Sequence, residues 1–115
     1  MTVPGLLILI LLGLGGAATG APSAAKASAE TLDLYRAHCQ SCHMADGDSP
    51  LEPLNFVDGL WKHGPKPEQV ALVIAEGVPG SAMLAFRDKL TKEQVRALAA
   101  HVRSFDKSLK PAKKK

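Results

Sequence analysis

Hydrophobic and polar positions change their rhythm several times along the chain. From Met1 to Ala25 there is no charged side chain, and Leu6–Leu14 forms an apolar centre followed by small residues. Pro22–Ala29, rich in Ala, Ser and Pro, reads as a tether of low order. A first helix is expected to begin near Ser28–Thr31 and to run through Leu32, Leu34 and Tyr35 toward Cys39. Asp46-Gly47-Asp48-Ser49-Pro50 is a turn cluster, and Pro53, Gly59, Gly64, Pro65 and Pro67 exclude a long helix over the following stretch. Leu51, Leu54, Phe56, Leu60 and Trp61 within this loop are apolar and need cover. Helical spacing returns with Val70, Val73 and Ile74, after Pro67 at a first-turn position and before Gly77, Pro79 and Gly80. A third helix is expected from Thr91, with Gln94 as capping-box partner and a stripe of Val95, Leu98, Ala99, Val102 and Phe105. No strand pattern and no internal repeat is present, so the fold class is all-α.

The uncharged N-terminal stretch has the layout of a secretory signal, with an apolar part too short for a comfortable span. Cleavage is expected between Gly20 and Ala27; an uncleaved membrane anchor is the rival reading. The chain divides into residues 1–27 (signal or anchor plus tether), 28–106 (the folded domain) and 107–115 (an unordered Lys-rich tail). Either reading of the leader puts the domain outside the inner membrane, in the periplasm.

Composition makes that domain thin. Tyr35, Phe56, Trp61, Phe86 and Phe105 are the only aromatic residues of the 115, and about 90 residues is near the size where one apolar core is marginal. Something else is needed to pack around. The formal charge of +3 arises from the tail, where Lys107, Lys110, Lys113, Lys114 and Lys115 stand without an acid. The rest is mildly acidic. The tail is read as a solvating end, with contact to an acidic partner or an anionic membrane surface as its functional alternative. No nucleic-acid partner is expected.

The chemistry is concentrated in Cys39-Gln40-Ser41-Cys42-His43. Residues i, i+3 and i+4 share a helix face, so Cys39, Cys42 and His43 can address one flat ligand. This Cys-x-x-Cys-His spacing is the attachment signature of c-type haem: two thioethers to the porphyrin and an imidazole to the iron. A redox or structural disulfide would need a strand before the motif, and none is indicated. A zinc site would have to add two of His38, His43, His63 and His101, which lack the usual short spacing.

A second axial ligand decides what such an iron does. Met44 adjoins His43 and cannot cross to the other side. Met83 lies in a Gly/Pro-rich loop between two helices and is the preferred candidate, with His63 the alternative. His101 reads as a partly exposed surface histidine, and His38 as facing away.

Over Ala29–Phe105 the chain resembles class I monohaem c-type cytochromes. Cys39, Cys42 and His43 match the attachment site and proximal ligand, and Gly77…Met83-x-x-Phe86 is similar to the family's Met loop. Gly59–Gly64, with Trp61, is similar to loops in short bacterial haem domains that serve dehydrogenases and oxidases. Leu84 stands where Pro commonly follows the ligand Met, and Met44 where Gly often follows the His. The resemblance implies one covalent haem c held by Cys39 and Cys42, with iron ligation by His43 and Met83. It also implies one-electron transfer to redox partner proteins, without catalytic residues. Three other functions stay open: a haem subunit of a larger dehydrogenase or oxidase, gas or peroxide binding at an open iron, and a zinc or dithiol protein without haem.

Overall fold

The computed structural model describes Gly13 and residues 26–111. The expected signal or anchor, apart from Gly13 and its last residues Lys26 and Ala27, lies outside the described residues, as do residues 112–115 of the tail. Helices are α1 (Ala29–His38), α2 (Gln40–His43), α3 (Pro67–Glu76) and α4 (Lys92–Ser104), with a 3₁₀ turn at Glu52–Leu54. Among the described residues there is no strand, and no helix is long and apolar enough to cross a membrane.

Local chemistry starts α1, α3 and α4 where the pattern indicates. The Ser28 side chain accepts from the Thr31 amide at 3.1 Å and caps α1. At α4 the capping box closes in both directions: the Gln94 amide donates to Thr91 Oγ1 at 3.1 Å, and the Thr91 amide to Gln94 Oε1 at 2.9 Å. Pro67 opens α3, and Gly77 ends it with φ +70°. The first helix does not run on through the Cys pair as one rod. Cys39 departs from helical geometry (φ −122°) and hinges α1 to α2; a new turn then closes on its carbonyl, which accepts from the Cys42 and His43 amides at 3.2 and 3.0 Å.

α4 packs on both α3 and α1. Its predicted stripe is buried at Val95, Leu98, Ala99 and Val102, together with Val70 and Ile74 of α3, Tyr35 of α1, and Phe86 and Leu90. Phe105 caps α4 rather than extending it, and its ring lies over Gly47, where a Cβ would stand 2.7 Å from it. Among the described residues Leu98 is the one large side chain that is wholly enclosed, so the core is as thin as the aromatic content indicated. The 3₁₀ turn was not foreseen. Nor was a turn at the start of the tail, where the Leu109 amide donates to the Asp106 carbonyl at 3.1 Å and Arg103 to the Lys110 carbonyl at 3.2 Å.

Met44 is the one non-glycine residue with positive φ among the described residues, at φ 66° and ψ 161°. A side chain is strained there, typically by about 1–3 kcal/mol, and glycine is not. Met44→Gly is therefore expected to stabilise the holoprotein by about 1 kcal/mol, net of glycine's larger entropy in the unfolded chain. A higher midpoint in guanidinium unfolding with unchanged slope checks this.

Candidate haem site

The α1–α2 hinge gathers the motif on one turn, and the loop behind it fixes the imidazole. His43 Nδ1 lies 2.8 Å from the Leu54 carbonyl. A carbonyl only accepts, so Nδ1 carries the proton and Nε2 keeps a free lone pair, the arrangement a metal-binding histidine needs. Burial pushes the His43 pKa down, partly offset by the bond to Leu54; the imidazole is held neutral. The Phe56 ring stacks on it at 4.3 Å and 20°.

The loop that delivers Leu54 and Phe56 is tied by Asn55, a residue the sequence pattern did not single out. Its amide donates to Asp48 Oδ1 at 2.8 Å and to the Ser49 carbonyl at 2.9 Å, and its Oδ1 accepts from the Val57 and Asp58 amides. The Phe56 amide bonds the Gly47 carbonyl at 2.8 Å. Tyr35 is core packing, as its helix position allowed, yet its hydroxyl also donates to the Met44 carbonyl at 2.6 Å and secures the residue after His43.

Cys39 is half-buried and Cys42 exposed, and they are not bonded to each other. Burial, and secondarily Cys42, pushes the Cys39 thiol up to about 11. Redox-active Cys-x-x-Cys pairs depress that pKa instead, so the direction of this shift does not favour the dithiol reading. Among the described residues no group of three or more His, Cys, Asp or Glu is arranged to hold a metal ion, which leaves the zinc reading without a ligand set there.

Met83 is half-buried against the core. Its loop is fastened without the proline that Leu84 replaces: the Val78 amide donates to the Met83 carbonyl at 3.0 Å, the Met83 amide to Ser81 Oγ at 3.1 Å, and the Phe86 amide to the Ile74 carbonyl at 3.1 Å. Gly77 makes the return possible. A Cβ there would meet the Met83 carbonyl oxygen at 2.7 Å, the Ala85 nitrogen at 2.8 Å and the Leu84 carbonyl carbon at 2.8 Å. All three contacts are backbone, and φ is positive as well. Gly77→Ala is accordingly expected to cost about 2–3 kcal/mol and to shift Met83, the candidate distal ligand; a weakened far-red absorption band in the ferric protein would show it.

Of the other histidines, His63 is exposed in the loop, and His38 is exposed with its ring against Phe86 at 5.5 Å. His101 is more enclosed than a surface histidine: its ring meets Tyr35 at 4.9 Å and Phe105 at 4.8 Å. Trp61 stacks on Phe56 at 5.8 Å and gives its indole N–H to Asp106 at 2.8 Å.

These residues suit a haem. The neutral imidazole with a free Nε2, two thiols on the same turn and a thioether on a fastened loop are the donor types that His/Met haem ligation uses. Large apolar side chains stand open to solvent on both loops, Leu51, Val57 and Leu60 on one and Leu84 on the other. All-helical architecture with this site defines a c-type cytochrome domain.

Comparison with known proteins narrows the class. Residues 26–102 match the family described as cytochrome c oxidase, cbb3-type, subunit III, and the chain belongs to that family. It is 32% identical to the cbb3-type cytochrome c oxidase subunit FixP of Azorhizobium caulinodans, over 80% of this chain and 31% of the relative. It is 37% identical to FixP of Sinorhizobium medicae, over 63% of this chain and 28% of the relative. The chain thus spans about a third of the length of these curated relatives. A solved structure, the KustC0563 c-type cytochrome, is similar along 67% of this chain and 98% of its own, with a TM-score of 0.56 and 36% identity. This chain carries a monohaem c-type cytochrome domain with covalently bound haem c.

Proposed function

We propose that Cys39 and Cys42 hold the haem through two thioethers, that His43 Nε2 and Met83 Sδ are its axial ligands, and that the domain (28–106) relays single electrons between protein partners in the periplasm. The observation that carries this is the 2.8 Å contact between His43 Nδ1 and the Leu54 carbonyl, on the same turn that presents both cysteines. When bound, the haem supplies an iron that gains and loses one electron. The chain's own part is to orient and to exclude water. Leu54 fixes the tautomer and the direction of the imidazole, Phe56 covers one face of it, and the Gly77 contact seats the Met83 loop. Carbonyl acceptance from Nδ1–H increases the donor strength of Nε2, and Met83, as the second ligand, would raise the reduction potential. No proton has to move, which agrees with an electron-transfer role and no catalytic acid or base.

Export follows from the uncharged leader, whose cleavage or retention as an anchor the mass of the mature protein distinguishes. A second reading, a haem subunit of a cbb3-type oxidase, is favoured by the two FixP relatives; stable co-purification with an oxidase would support it over a free carrier. The carrier reading requires a potentiometric titration that follows a single one-electron wave. It also requires a reduced protein that does not take up CO. Ready CO binding would instead indicate an open iron and overturn the Met83 assignment.

A further inference from the structure

The end of α4 reaches the imidazole of His43 through an aromatic stack. Asp106, two residues beyond α4, is 4% exposed. Its Oδ2 accepts from Trp61 Nε1 at 2.8 Å, and its Oδ1 from the Ser108 amide at 3.0 Å and the Ser108 hydroxyl at 2.6 Å. Trp61 lies 45 positions earlier in the chain, so this bond ties two distant segments. The Trp61 ring is nearly parallel to Phe56 (5.8 Å, 9°), and Phe56 lies on the His43 ring (4.3 Å, 20°). Phe105, next to Asp106, is also parallel to Phe56 at 6.3 Å and 2°. A buried carboxylate accepting from an indole N–H is a strong, directional bond. It leaves the indole one orientation, and the stack passes that constraint to the imidazole.

We infer that Asp106 is a positioning residue for the haem's proximal ligand, acting through Trp61 and Phe56 to hold the His43 ring in the plane where its Nδ1–H meets the Leu54 carbonyl. The inference rests on His43 being the iron ligand. Its consequence is electronic. Hydrogen bonding at the outer nitrogen strengthens the donor nitrogen and favours ferric iron. Loosening the clamp lets the ring turn away from Leu54 and raises the midpoint potential.

The test uses the haem-loaded Trp61→Phe, Asp106→Ala and Asp106→Asn proteins and the Trp61→Phe/Asp106→Ala double variant, each measured for midpoint potential and for the proton resonances of the His43 ring in the ferrous state. Trp61→Phe keeps an aromatic ring to stack on Phe56 while removing the N–H donor together with the fused second ring. It is expected to raise the potential as much as Asp106→Ala does, with the double variant adding nothing further, the signature of two residues acting as one unit. Asp106→Asn, which leaves the indole an acceptor, is expected to stay nearer the wild type, and the ring resonances shift in step with the potentials. Potentials and ring resonances unmoved in Trp61→Phe and Asp106→Ala, with only thermal stability reduced, would overturn the inference. So would an Asn variant equal to the Ala variant beside an unmoved Trp61→Phe, which would assign the effect to charge alone. Should Asp106→Ala fail to fold, Trp61→Phe decides by itself. A wild-type protein without His43-ligated haem would remove the functional reading beneath; a normal haem spectrum with unmoved potentials removes this inference alone.

Discussion

The Cys39→Ala/Cys42→Ala variant is expected to emerge colourless and largely unfolded, with most of its far-ultraviolet helical signal gone at room temperature. The reason is the balance of apolar surface. Among the described residues the buried cluster numbers nine, of which only Leu98 and the small Ala99 are fully enclosed. Against it, Leu32, Met44, Leu51, Val57, Leu60, Leu72 and Leu84 are each more than a third exposed. Burying one such side chain contributes about 1.5–3 kcal/mol. If the prosthetic group covers only three of them, its loss removes about 5–9 kcal/mol, much of the 5–15 kcal/mol typical of a whole domain. A variant with cooperative unfolding and near-native helical content would show that the protein core suffices alone.

Met83→Ala should fold, because Met83 is only half-buried and its loop is held by backbone bonds from Val78 and Phe86 and by the Ser81 hydroxyl. What changes is the iron. With Met83 as the proposed distal ligand, its loss is expected to abolish the far-red band of the ferric form, to open the ferrous form to CO, and to lower the midpoint potential by a substantial part of the roughly 0.8 V that axial ligation commands. Retention of the band would assign the distal sulfur to another methionine, whereas absence of the band from the wild type would favour His63, the alternative the sequence offered.

The residues that matter here were legible to different degrees. Helix starts were readable because capping is local: Ser28 with Thr31, Thr91 with Gln94 and Pro67 at the head of α3 act within one turn. The attachment motif was readable because its spacing is itself the geometry. The hinge at Cys39 was not, since nothing in residues 29–43 breaks helical periodicity; the departure appears only where α2 turns off α1. The imidazole's partners were hidden for another reason. Leu54 acts through its carbonyl, which every residue possesses. Asn55 reads as one more polar loop residue, and the Trp61–Asp106 bond joins positions no local pattern connects. Met44 is the reverse case. Its place after the histidine was visible, but the backbone strain it carries required a φ angle.

The bond between this chain and its haem is tested most directly by the mass of the intact protein under denaturing conditions, after expression in a host with a working haem-attachment system. One haem's mass retained through acid denaturation, and absent from the Cys39→Ala/Cys42→Ala variant, is expected. A wild-type chain with the mass of the bare polypeptide, free of iron, would contradict it.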